Sequence, residues 1–166
     1  MSATATLFSQ VYDTLWTVLD GDSGLSTFMG HGKTFRFANL ADTATALRPS
    51  DCPALILRPA KAGFALPNVK EQRFPFTVEF QLAVTNADWK TMWEFMARVY
   101  GALMGSLYGN LGLSYVRGWE FSDAEVEAGA FGKKGAEWAA WICGFSLTVY
   151  VHRDAQSDGL FSVDGG

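Results

Sequence analysis

The chain has 166 residues, a net charge of -4 and no run of lysine or arginine, which argues against a nucleic-acid-binding surface. Apolar residues make up 49% and charged residues 18%, enough to build a core and to exclude general disorder. With 6 Trp, 13 Phe and 5 Tyr, the chain carries aromatic surface to spare, which suits a subunit interface as well as a large monomeric core.

Residues 6–19 predict a helix. Phe8, Val11, Tyr12, Leu15, Trp16 and Leu19 fall on one face, and Gly21-Asp22-Ser23-Gly24 stops it. A loose segment is expected to about Gly32, then a short strand around Phe35, Arg36 and Phe37. Residues 38–53 carry no clear period. Pro53 and Pro59 bound a short apolar strand, Ala54-Leu55-Ile56-Leu57-Arg58. Residues 60–73 read as a polar connection into a long strand.

In that strand Phe74, Phe76, Val78, Phe80, Leu82 and Val84 alternate with Pro75, Thr77, Glu79, Gln81 and Ala83, giving one apolar and one mostly polar face. Thr85-Asn86-Ala87-Asp88 supplies a turn and an N-cap, and a second helix follows with Trp89, Met92, Trp93, Met96, Val99, Tyr100 and Leu103 on one face. Gly105, Gly109 and Gly112 end it, and Tyr115, Val116, Trp119 and Phe121 suggest a short strand. Residues 122–135, with Asp123, Glu125, Glu127, Lys133, Lys134 and three glycines, read as an exposed loop. A last long strand spans about 138–152, with Trp141, Cys143, Phe145, Leu147, Val149 and Val151 on one side. The sum is a single α+β domain over 1–153, a mostly antiparallel sheet with two main helices on one face. A polar tail over 154–166 completes the chain.

Motifs for chemistry are tested and set aside. Gly32-Lys33-Thr34 matches the end of a phosphate-binding loop, but Thr27 stands where that loop needs its first glycine, and strand follows rather than helix. Ser23 lacks a preceding histidine base. His31, Cys52, Cys143 and His152 show no metal-ligand pairing. The two isolated cysteines are expected as buried thiols in a reducing cytoplasm rather than a bridge. No apolar stretch reaches the roughly 18 residues of a membrane span, and Met1-Ser2-Ala3-Thr4-Ala5-Thr6 has no signal-peptide character. No catalytic residue, cofactor or metal is expected, and the chain reads as a non-enzyme.

The order of elements is suggestive. The helix Phe8-Ser9-Gln10-Val11-Tyr12-Asp13-Thr14-Leu15 leads to Asp51-Cys52-Pro53-Ala54-Leu55-Ile56-Leu57, then to a long alternating strand, a helix and a final long strand. This resembles the tail-terminator, or tail-completion, proteins of long-tailed phages and phage-like gene-transfer particles. The resemblance implies a hexameric ring that caps the tail tube, stops its polymerisation and joins tail to head. It implies as partners the tail tube protein and neck or head-connector proteins, with DNA passing through the lumen without specific binding. Assembly would occur in the host cytoplasm and the product would sit at the tail end of the virion. On this analogy Glu79 and Gln81 face the lumen, while the loops carrying Lys70, Glu71, Arg73, Asp123, Glu125, Glu127, Lys133 and Lys134 contact partners. The insertion at 122–137 and the tail after Asp154 have no counterpart in the family. Alternatives are a neck or head-completion protein, a small-molecule domain with a pocket between sheet and second helix, and an enzyme built on His31 and Asp51.

Overall fold

The computed structural model describes residues 4–36, 47–62 and 71–154. Two long strands form its axis. β3 (Glu71–Thr85) and β6 (Trp138–Asp154) run antiparallel, and every residue of β3 has a registered partner, from Glu71 opposite Asp154 to Thr85 opposite Ala140. β2 (Ala54–Ala62) lies antiparallel on the far side of β3, and β1 (Thr34–Arg36) adds parallel to β2. On its other side β6 pairs with β4 (Val116–Phe121) and with β5 (Glu125–Phe131), both antiparallel.

β4 and β5 are consecutive lengths of one edge. β4 meets residues 147–151 of β6 and β5 meets residues 138–144. Phe121 stands opposite Leu147 and Glu125 opposite Gly144, so four steps on one strand match three on the other, the geometry of a bulge. Ser122 pins this irregularity. Its amide donates to the Ser146 carbonyl at 2.9 Å, and its hydroxyl accepts from the Ser146 amide at 2.8 Å.

Period-two patterning gives this sheet two faces of different chemistry. Phe74, Phe76, Val78, Phe80, Leu82 and Val84 of β3, with Cys143, Phe145, Leu147, Val149 and Val151 of β6, are buried in the main core. Phe80 and Phe145 sit opposite each other with ring centroids 5.0 Å apart, and Tyr100 stacks on Phe145 at 4.8 Å. Three helices cover this face: α1 (Thr4–Gly21), α2 (Ser23–Met29) and α3 (Thr91–Leu107). Tyr12 of α1 ties helix to sheet by donating its hydroxyl to the Leu57 carbonyl at 2.8 Å. A smaller core lies on the opposite face, where Leu47, Cys52, Ala54, Ile56, Ala83, Phe131 and Ala140 cluster. These features are an α+β fold with a six-stranded, mostly antiparallel sheet.

Several expectations change. Gly21-Asp22-Ser23-Gly24 ends α1, yet Asp22 also starts α2 by accepting the Leu25 amide at 2.8 Å, so the segment expected to be loose is helical over Ser23–Met29. The second helix begins at Thr91 rather than Trp89, after a short turn over Asn86–Asp88, and no side chain caps it. It continues past Gly105 to Leu107. Its buried face is Met92, Phe95, Val99, Ala102, Leu103 and Leu107, leaving Trp89 and Trp93 outside. β2 runs through Pro59 to Ala62, with a register shift between Pro59 and Lys61 where proline cannot donate. The expected loop at 122–135 is mostly strand β5 with a turn beyond it. Lys70, Phe37, residues 38–46 and the tail beyond Asp154 lie outside the described residues.

At the corner between α2 and β2, the Lys33 amide donates to the Asp51 carbonyl and a Cβ on Gly32 would lie 2.1 Å from the Pro53 carbonyl oxygen. Backbone on both sides leaves that clash no escape. Gly32→Ala is therefore expected to cost more than about 2 kcal/mol and lower the Tm by roughly 4 °C or more. Gly21→Ala, with nothing within 4 Å, is the control and should be neutral or slightly stabilising in a thermal melt. Equal melting points for the two would show that this corner is not closely packed.

Candidate functional site

The outer face of the sheet, away from the helices, carries a groove of about 330 Å³. Strand register assembles it. Arg58 stands opposite Glu79, Glu79 opposite Ser146, Gln81 opposite Gly144, and Gly144 opposite Glu125. Gly144 presents no side chain and a Cβ there would meet nothing within 4 Å, so the sheet is bare between Gln81 and Glu125. Asp123, Glu125 and Glu127 form the rim on the β5 side, with Ser122 beside them and Ile142 in the floor.

Arg58 and Ser122 direct donors of the groove to neighbours within it. Arg58 Nε donates to Glu79 Oε2 at 2.7 Å, and its Nη2 contacts the same oxygen. The Ser122 hydroxyl is held between the Ser146 amide and the Asp123 carbonyl. Gln81 Oε1 is shut off from solvent and has no hydrogen-bond partner. Among the described residues Asp123, Glu125 and Glu127 make no ion pair, while the ion pairs there join Lys33 to Asp51, Arg36 to Asp13, Arg58 to Glu79 and Arg98 to Glu94. The site is rich in acceptors, and Arg58, the cation in its lining, is engaged by Glu79. No three His, Cys, Asp or Glu side chains among the described residues converge as metal ligands do.

Glu79 and Gln81 thus share one groove with Asp123, Glu125 and Glu127, two groups the sequence places in separate roles. Glu79 is neutralised by Arg58, so its carboxylate is not a free lumen charge. Lys133 and Lys134 lie elsewhere, in the turn between β5 and β6, and both are exposed. By backbone position Glu71 and Arg73 belong to β3 rather than to a contact loop. Arg58 is the functional residue missed. Its position between apolar Ile56-Leu57 and Pro59 reads as the end of a strand, and only the β2–β3 register puts it against Glu79.

A second unusual surface lies on the helical side. Trp89 and Trp93 are 50% and 57% exposed at the start of α3, and Tyr108 is 76% exposed at its end. Between α3 and the sheet, Met92, Phe95, Val99 and Leu103 fill the space at 0–1% exposure, which leaves no small-molecule pocket at that position. Lys33 is engaged with Asp51 at 3.3 Å and leads into a strand, unlike a phosphate-loop lysine. Asp51 spends its other carboxylate oxygen on the Arg48 amide at 3.0 Å. Arg36 is held by Asp13 and sandwiched between the Tyr12 and Trp16 rings, 4.8 and 4.7 Å from their centroids. No membrane-length apolar helix occurs among the described residues.

No protein-family model matches this chain, and no curated protein matches it.

The cysteines are free, buried and on opposite faces of the sheet, Cys143 in the main core and Cys52 in the smaller one. Burial pushes both thiols up to about 11 from 9.0, with Asp51 adding to the shift at Cys52. The folded chain therefore holds protons that the unfolded chain releases first. Stability is expected to be unaffected by these thiols below pH 9, to fall between about 9 and 11, and to level off above. Urea midpoints across that range should show a steeper decline for the native chain than for a Cys52→Ala, Cys143→Ala variant. Native-state alkylation should stay slow until the pH nears 11.

Proposed function

We propose that this chain is a structural subunit that associates with itself to form a ring, in the manner of the tail terminators it resembles, capping a tail tube and joining it to the head or neck. The observation that carries this reading is the pair Trp89 and Trp93, the first just before α3 and the second in its first turn, each at least half exposed. Large aromatics left outside a core that has room for Phe95, Phe80 and Phe145 favour a subunit that is covered by another. The carboxylates of Asp123, Glu125 and Glu127 support the same view, since none has an ion-pair partner among the described residues. A net charge of -4 suits passage of DNA without adhesion. The polar outer sheet face, with Thr77 and Thr148 joined at 2.9 Å and Tyr150 donating to Glu120 at 2.8 Å, is the candidate lumen wall.

The mass in solution by light scattering after gel filtration, with negative-stain images of the peak, tests this. Closed rings, or a monomer that forms them on tail-tube ends, are expected. A compact monomer with no affinity for any tube would overturn it, and rings that ignore tube protein would move the chain to the neck. Trp89→Ser with Trp93→Ser should weaken association by more than about tenfold while leaving the melting point nearly unchanged, because both rings lie outside the core.

A further inference from the structure

The acidic groove and the basic turn of the same hairpin are complementary and cannot meet within one chain. Glu125 pairs with Gly144 and Phe131 with Trp138, so the groove and the base of the turn are six residues apart along β5, about 20 Å. Beyond that base Lys133 and Lys134 are exposed and make no ion pair among the described residues. Glu137, in the same turn, accepts from the Gly135 amide at 3.4 Å.

The turn is a fixed platform. Gly132 and Gly135 have φ of 111° and 90°, which suit glycine, and a Cβ on Gly132 would lie 2.7 Å from the Ala136 carbonyl oxygen. Its base is anchored by the Phe131 and Trp138 rings, 5.4 Å apart, and by the Trp138 indole donating to the Leu47 carbonyl at 3.2 Å. Two ammonium groups on such a turn would enter a groove ordered in advance, which limits the entropy lost on docking.

We infer that the Lys133–Lys134 turn of one copy docks in the groove formed by Gln81, Asp123, Glu125 and Glu127 of a second copy. A second copy is the occupant because the same chain carries both halves. Three carboxylates without ion pairs among the described residues are the complement of two lysines likewise without them. Each lysine supplies three donors and no acceptor, matching a groove rimmed by the carboxylates of Asp123, Glu125 and Glu127. Groove and turn are different patches, so the contact is heterologous and propagates from copy to copy until a rotation closes it. This rests on the ring reading above and names the contact that holds the ring. It uses the β5 side of the outer face and leaves Thr77, Thr148 and Tyr150 to the aqueous side.

Charge reversal tests it. K133E with K134E, and separately E125K with E127K, should each lose self-association by more than about tenfold in light scattering, since like charges then face each other. Circular dichroism and melting point, expected to match the native chain, show that both variants fold. Mixing the two variants should restore the oligomer, because the native turn of the groove variant fits the native groove of the turn variant, and the reversed turn fits the reversed groove, in alternation. The chain carrying all four reversals should also assemble alone. Association of the native chain should weaken as salt shortens the screening length from about 10 Å at 0.1 M to about 3 Å at 1 M. An oligomer indifferent to both reversals would overturn this contact and leave the ring reading standing. Loss on groove reversal without rescue by mixing would overturn it too, assigning the groove to a basic partner of another kind. A native chain that stays monomeric at every concentration, and on tail-tube ends as well, would overturn both.

Discussion

The pairing of β3 with β6 is the constraint on which the molecule depends. A ladder this long fixes every side chain on both strands to one face or the other, and a slip of one residue would exchange the faces. The stacked Phe80 and Phe145 rings lock that register from the core side, and the Thr77–Thr148 hydroxyl pair locks it from the outer side. Everything else is hung on it. The helices find an apolar face only because the register holds, and Gln81, Gly144 and Glu125 line up across the sheet for the same reason.

The two faces divide the labour of the molecule. One is closed by α1, α2 and α3 into a continuous core that accounts for most of the buried aromatic surface. Among the described residues the other is closed at one end, around Leu47, Cys52, Phe131 and Ala140, and carries polar side chains such as Thr77, Glu79 and Ser146 over the rest. Placing a turn on the apolar end of that face gives it a rigid base, while the bare centre at Gly144 opens a depression beside it. The groove and the projecting turn are thus two results of one uneven covering.

Most of the main core was legible in the sequence, because strict alternation over 74–84 and 141–151 leaves little choice of face. α1 was legible for the same kind of reason, with Val11, Leu15 and Leu19 buried on its predicted face. What escaped was short or weakly patterned. α2 has seven residues and only Leu25 and Met29 buried, too few to show a period. β5 hid because only Val126 of its first half packs on the main core, followed by Ala128, Gly129 and Ala130, which hardly contrast with loop, while Glu125 and Glu127 look like loop. The alternation of acidic with small apolar residues was nonetheless the available signal. In α3, Trp93 was assigned to the core since it falls at helical spacing from Trp89 and Met96, whereas the packing chose Phe95. The groove itself joins residues from β2, β3, β5 and β6, a juxtaposition that pairing creates and local pattern does not contain.

The bulge at Ser122 has a consequence for how copies of this chain can grow together. A straight strand from Val116 to Phe131 would expose a long row of unpaired amides and carbonyls, a template for endless edge-to-edge extension into fibres. The break divides that row into two short lengths, and the acidic residues beside it set like charge against like wherever two such edges approach in parallel. At the opposite margin β1 offers only Thr34–Arg36. Margins so guarded resist ribbon formation, and the ring proposed above would form through side-chain contacts, where geometry can count copies and stop.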